Sequence, residues 1–545
     1  MAKGYRPVLR DQAFLLPPDM REWLPADHAV WLVIGAAGQL DTSLFHAGRR
    51  TGGVGAAGYD PDMLATLLVW AYANGVTSSR RIEAACLADV GFRVICAGDV
   101  PDHVTIARFR AAFPGAAEAL FGQVLVLCAR LGMGKLGTVA LDGMKIGANA
   151  SKAANRTEEG LRKLAAQRAA EHAAADAAED ERLGEGCRGD EVPPEVVNPR
   201  TRDERIGKAL ADLEAERKAA EAAQEHKAQQ YLAQDGRARG MPPRAAAVEA
   251  ARARLERARA ARAAQIAELQ AKAAGPVIPG SRRDRPKAAT EDFSRVKKAR
   301  HALEQAEARA TEAARKENNR TGPGPVRNIT DPDSRLMPTR GGGFIQGYNT
   351  QNVASEDGLI IATELTQDTT DTAWFAPMLT KAADAAALIT AHQSPPAATS
   401  SAGPARDGGI GQVLADAGYC SEDNLTTPGP DRLIATGTRR TLEKTARQAT
   451  AASQDRTSGQ AADGPIAAMA ARLATEEGIT AYRRRGHIAE TPHGHIKHNM
   501  GIRRLATRGK SKAAAEWAFT AAVHNLLKAI TTGHLTPTAL TTLAS

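Results

Sequence analysis

Asp142 stands inside the run "VALDG", and Asp416 lies in a second such run, "VLADAGY". Both runs are apolar enough to be buried strands, where an ionised carboxylate is costly unless something pairs with it. A bound cation is a usual partner. Glu490 is the one acid in "YRRRGHIAETPHGHIK", residues 482–497, among Arg483, Arg484, Arg485, His487, His493, His495 and Lys497. A solvated helix face mixes its signs more evenly. Asp142, Asp416 and Glu490 together would make an all-oxygen site, the kind that Mg²⁺ or Mn²⁺ prefers. Two such ions roughly 4 Å apart can activate an attacking oxygen and stabilise a leaving one in phosphodiester cleavage. The basic groups around Glu490 would hold the phosphates, Arg485 as a planar fork and Lys497 as a point charge.

Each residue also has a plainer reading. An Asp at a strand end commonly forms a turn. Asp368, Asp371, Glu476 and Glu477 are rival carboxylates that spacing does not exclude. His493, His495 and His498 could suggest zinc, but no cysteine or acid stands at zinc-site spacing, so they read as phosphate-side or structural.

The whole chain sets the limits. Of 545 residues, 71 are Lys or Arg and 62 are Asp or Glu, a formal charge of +9 that leans toward a polyanionic partner. Five scattered cysteines without a CxxC pair argue against a disulfide scaffold and fit a reducing compartment. The opening residues lack the apolar run of a signal peptide, and no apolar stretch reaches the ~20 residues of a membrane span. The expectation is a soluble cytoplasmic protein, nucleoid-associated if the polyanion is DNA, with no membrane partner.

The elements that must position these residues follow in order. Residues 1–130 read as a helical domain. In it "DPDMLATLLVWAYANG" places Met63, Leu67, Leu68, Trp70 and Tyr72 on one apolar face, capped by Asp60 and stopped by Gly75. "TSSRRIEAACLADVGFRVIC" reads as a second helix. A third, "PDHVTIARFRAAF", carries Thr105, Arg108 and Arg110, and the three resemble a helix-turn-helix. Arg108 and Arg110 either touch DNA or solvate a surface helix. Residues 156–322 change to an Ala/Arg/Glu-rich helical insertion with too few apolar anchors for a large core. Strands are expected at 137–146, on either side of "EDG" after the insertion, at 410–419 and in "DRLIATG". With an amphipathic helix at 373–389, they make a mixed α/β sheet, interrupted by flexible loops near 391–409 and 447–464. A closing helix turns Trp517, Phe519, Ala522 and Leu526 inward.

Six stretches, "DGMKIGANAS", "TDPDSRLM", "GYNTQNVAS", "LADAGY", "YRRR…E…HGHIK" and "EWAFTAAVHNLLKA", together resemble the DDE transposases of bacterial insertion sequences. The nearest group is the IS-eleven-eighty-two type, with an N-terminal helical domain and a long helical segment after the first Asp. The resemblance implies a ribonuclease-H-like catalytic core, here residues 131–155 and 323–535. It implies Asp142, Asp416 and Glu490 as the metal-binding catalytic triad, with Mg²⁺ or Mn²⁺ as two ions. The Tyr-Arg-Glu-Lys signature of the IS-four-like superfamily falls on Tyr482, Arg485, Glu490 and Lys497, which would contact DNA. The six residues between Glu490 and Lys497 fit that signature. The four between Arg485 and Glu490 are one more than the usual three, so Arg484 or Arg483 could take the arginine's place. The implied chemistry is cleavage at the element's ends to free 3′-hydroxyls, which then attack target DNA, carried out by a homodimer. Three other readings stand beside it: a catalytically inactive transposase-derived DNA-binding protein, a general nuclease of similar fold, and a structural coiled-coil protein.

Overall fold

The computed structural model describes residues 19–47, 58–112, 114–183, 200–234, 241–274, 290–318, 325–339, 341–393, 409–437 and 464–544. The loops expected near 391–409 and 447–464 fall almost wholly outside them. The chain divides into two compact units, Arg156–Arg327 and the remainder, Met1–Asn155 with Asn328–Ser545.

The larger unit is built on a mixed sheet of β1 (Thr138–Gly147), β4 (Arg335–Pro338), β5 (Phe344–Ser355), β6 (Ile360–Thr366), β7 (Gln412–Ala415) and β8 (Asp431–Ile434); β2 (Asn155–Thr157) and β3 (Val326–Asn328) pair separately. Antiparallel β5 flanks β1 on one side and parallel β7 on the other, with β8 parallel beyond β7; β6 pairs along the C-terminal half of β5 and β4 along its N-terminal half. β1 is buried on both faces, as its near-continuous apolar run requires of a central strand. Val139 and Leu141 face the main core, built with the helices Pro114–Arg130, Phe375–His392 and Lys510–Thr531. Ala140 faces a smaller cluster with Leu414, Leu433, Met469, Leu473, Ile488 and Ala489, under the helices Pro465–Leu473 and Glu476–Arg485. Burying each large aliphatic or aromatic side chain contributes about 1.5–3 kcal/mol.

The N-terminal helices belong to the same compact unit. Helix Pro61–Ala73 starts at Asp60, whose carboxylate caps the Asp62 N–H at 2.8 Å. Its Tyr72 hydroxyl donates to Glu516 at 2.7 Å, and Glu516 also accepts from the Ala506 and Thr507 amides. The one continuous helix expected over 77–96 is a correction: it breaks into Ser79–Ala88 and Val90–Ile95, because Asp89 turns extended and caps Phe92. The basic third helix is His103–Ala112.

The smaller unit consists of two helical hairpins, Glu158–Leu183 with Arg200–Ala233 and Ala247–Ala274 with Ser294–Asn318. In the second hairpin Leu255, Ala258, Val296 and Ala299 form a small core, as the scarcity of apolar anchors dictates.

Candidate active site

Asp142 and Asp416 meet because β1 and β7 run parallel and in register. Leu141 lies opposite Ala415, the last residue of β7, and an Asp follows each of them. Strands so paired lie about 4.8 Å apart. Asp142, two residues beyond Ala140, takes the face covered by the helix that carries Arg485. Asp416 forms a turn and faces Arg485 at once: its Oδ1 accepts from the Gly418 amide at 2.9 Å, and its Oδ2 lies 3.7 Å from Arg485. The Arg485 guanidinium bridges the pair, with Nη2 2.9 Å from Asp142 Oδ1. Its side chain is 11 % exposed and that of Asp142 7 %. Burial and the neighbouring Asp142 charge push the Asp416 carboxyl above the usual range, with Arg485 opposing. Burial works against the charge of Arg485, yet Asp142, Asp416 and Glu490 together hold it above its ordinary value. The Arg485 Nε is buried with no acceptor among the described residues.

The extra residue between Arg485 and Glu490 has a structural answer. Gly486–Glu490 is a π-helical turn, inserted between the α-helices Glu476–Arg485 and Thr491–Gly494. An α-helix advances about 100° per residue, so five residues would rotate Glu490 far from Arg485. The wider π turn absorbs the added residue, and residues five apart fall where residues four apart would in an α-helix. Glu490 is exposed, on the turn whose Ile488 and Ala489 pack against the sheet. Of the three arginines, Arg485 is the one that reaches both aspartates. Arg484 pairs instead with Glu356 at 2.9 Å, and Arg483 is exposed.

A chain of hydrogen bonds orients His493 beside the second oxygen of Asp142. An indole can only donate, so Trp517 Nε1, 3.1 Å from Asn352, meets the amide oxygen Oδ1, which the Thr363 hydroxyl also reaches. The Asn352 amide nitrogen must then donate to His493 Nε2 at 2.9 Å. His493 consequently carries its proton on Nδ1, 3.6 Å from Asp142 Oδ2. Sequence reading treated His493 as phosphate-side or structural and Trp517 as core packing, and it assigned no role to Asn352. The signal was the polar run "YNTQN" in a buried strand, since buried amides require partners.

Asp371, named from the sequence only as a rival carboxylate, adjoins the same site. It accepts from Asn349 at 2.6 Å and Gln351 at 2.7 Å, and lies 3.6 Å from Lys145. Gly143 admits it, because a side chain there would meet Asp371 Oδ1 at 2.6 Å. Burial pulls the Lys145 ammonium below its usual value against the charges of Asp371, Asp416 and Asp142. Asp368 is engaged elsewhere by Trp374 and Thr366.

Tyr482 is half-buried, its hydroxyl donating to the carbonyl of Ala415 at 3.2 Å, directly before Asp416. Burial pushes that phenol up to about 12. Lys497 lies in a second π turn, His495–Asn499, half-buried, with its carbonyl 3.3 Å from Arg503 Nε. In the N-terminal helices the two expected DNA contacts separate. Arg108 is exposed, whereas Arg110 turns inward, its guanidinium 2.5 Å from the Thr77 carbonyl and 3.3 Å from the Ser79 hydroxyl. No single helix among the described residues is long and apolar enough to cross a membrane.

The sheet brings an aspartate inside β1 beside one just past the end of its parallel neighbour β7, an arrangement suited to phosphodiester chemistry. Residues 441–530 match the family model described as Transposase DDE domain, and residues 20–112 match Transposase domain (DUF772). No curated protein and no solved structure matches the chain. The two matches support a DDE transposase, a family whose members act on DNA in the transposition of mobile elements.

Proposed function

We propose that this chain is a DNA transposase that binds the ends of an insertion sequence, cleaves phosphodiester bonds to free 3′-hydroxyls, and joins them to target DNA at one metal site. The observation that carries the reading is the pairing of Asp142 with Asp416 under the single guanidinium of Arg485. Arg485 supplies one positive charge to the two carboxylates, and a divalent ion would supply the rest. Asp142 and Asp416 offer the hard oxygen donors that suit Mg²⁺ or Mn²⁺. Glu490 would have to approach to complete the set, since the three carboxylates do not all lie within 4.8 Å of one another. Such ions, when bound, activate the attacking oxygen and stabilise the leaving one. The protein's own groups hold the rest in place. His493 steadies Asp142 Oδ2 through its Nδ1 proton, Tyr482 ties its helix to the strand end before Asp416, and Arg485 and Lys497 supply positive charge for phosphate. A ribonuclease-H-like core fits the sheet, in which antiparallel β5 and β6 lie on one side of β1 and parallel β7 and β8 on the other. In keeping with the resemblance, two copies would act on paired DNA ends.

The test is cleavage of duplex DNA carrying the gene's own flanking sequences, with Mg²⁺ or Mn²⁺, by wild type and Asp416→Asn. Asparagine keeps the cap on Gly418, so the comparison isolates charge from turn formation. Specific nicks that vanish in the variant are expected. Cleavage unaffected by the substitution would refute the assignment, and binding without cleavage by wild type would favour the inactive DNA-binding reading.

A further inference from the structure

β1 leads from Asp142 to a second feature. At its far end, beyond Gly147, lies an open groove of about 900 Å³. Four cations line it, Lys152, Arg503, Arg504 and Arg508, with no carboxylate among the lining residues. All four are exposed, and none makes an ion pair among the described residues. Arg508 spends only its Nε, on the Asn149 carbonyl at 3.0 Å, so both Nη groups remain to meet an anion. Phe344 lies in the same lining and is 55 % exposed, a large aromatic face left in water beside four positive charges. Lys152 Nζ donates to the Phe344 carbonyl at 3.0 Å, which fixes cation and ring side by side.

Unpaired cations collected around an exposed ring suit a phosphodiester backbone: the charges meet phosphates and the ring meets a sugar or base edge. The spacing suits the same ligand. Five residues of strand separate Asp142 from Gly147, roughly 17 Å, or about five base pairs along a duplex. We propose that this groove is a second DNA contact, holding the backbone of the duplex about five base pairs from the phosphate at Asp142, with Phe344 packed against it. The inference rests on the transposase reading, since it takes the occupant to be the same duplex that reaches the metal site.

The test measures equilibrium binding of the flanking-sequence duplex by the full chain across a salt series, in an Asp416→Asn background so that the DNA stays intact. Arg504→Ala and Arg508→Ala should each lower the slope of log affinity against log salt by about one. Arg504→Lys should keep the slope, which separates lost charge from lost fold. Phe344→Ala should weaken binding and leave the slope alone. Hydroxyl-radical footprints should lose protection about five base pairs from the nick made by wild type. An unchanged slope and footprint in the Arg504→Ala, Arg508→Ala double variant would overturn the groove. The transposase reading fails separately, if wild type makes no nick that depends on Asp416.

Discussion

Arg485 and Glu490 lie five residues apart on one side of a helix, because a π turn, Gly486–Glu490, takes up the residue that an α-helix could not. Glu490 contributes to the charge that holds the Arg485 guanidinium protonated. Five π residues span nearly the same rise as four α residues, so the insertion leaves the helix beyond it undisturbed.

That relationship predicts an asymmetric response to length. Deleting His487, which is exposed, should convert the turn to α-helix with Arg485 and Glu490 still aligned. DNA cleavage should then fall by less than about tenfold, a barrier change under roughly 1.4 kcal/mol. Inserting an alanine after His487 should rotate Glu490 by about 100° and reduce cleavage at least a hundredfold. Equal losses from both changes, measured as single-turnover nicking rates, would show that the π turn does not set the alignment.

Trp517→Phe should remove the donor-only partner of the Asn352 amide oxygen, leaving the Thr363 hydroxyl, which can accept as well as donate, and keep the packing nearly filled. His493 then loses its enforced Nδ1–H form. Nitrogen-15 shifts of selectively labelled histidine should change from one tautomer to a mixture, and cleavage should slow by roughly tenfold. A single unaltered tautomer in the variant would mean that the indole does not govern His493.

His524 gives the pH dependence. It is buried, its Nε2 lies 3.0 Å from the Gly358 carbonyl and its Nδ1 2.9 Å from His495 Nδ1, and burial pulls its pKa to about 3 from 6.5. The fold therefore holds it neutral while the unfolded chain protonates it. Its contribution to stability is complete above pH 6.5 and is lost as pH falls toward 3, at about 1.4 kcal/mol per pH unit. Denaturant midpoints between pH 4 and 6 should fall less steeply with acid for His524→Gln than for wild type. Parallel slopes would remove His524 from the account.

The carboxylates were legible from sequence because an Asp inside "VALDG" or "VLADAGY" breaks an apolar pattern that burial enforces. The strands around them were legible for the same reason. β1, β5, β6 and β8 lie where alternation or apolar runs put them, and Gln412–Ala415 is the core of the expected 410–419 segment. What escaped detection depends on hydrogen bonds between distant segments. The π turn has no residue pattern of its own; only the odd spacing to Glu490 betrayed it. Arg110 and Arg108 read alike until the Thr77 carbonyl claims one of them. Asp371 joins the site across a fold that sequence spacing cannot measure, through the opening left by Gly143. The break at Asp89 was hidden because an aspartate within a helical run reads as one more solvated side chain until its carboxylate caps Phe92.

If Asp142 holds a divalent cation needed for cleavage, a change of ligand softness at that position tests it most directly. A thiolate in place of this carboxylate binds Mn²⁺ far better than the harder Mg²⁺. Asp142→Cys should be inactive with Mg²⁺ and recover part of its nicking rate with Mn²⁺, while Asp142→Ser, similar in size and uncharged, stays inactive with both. Equal loss of Asp142→Cys activity in Mg²⁺ and Mn²⁺, with DNA binding intact, would contradict the claim.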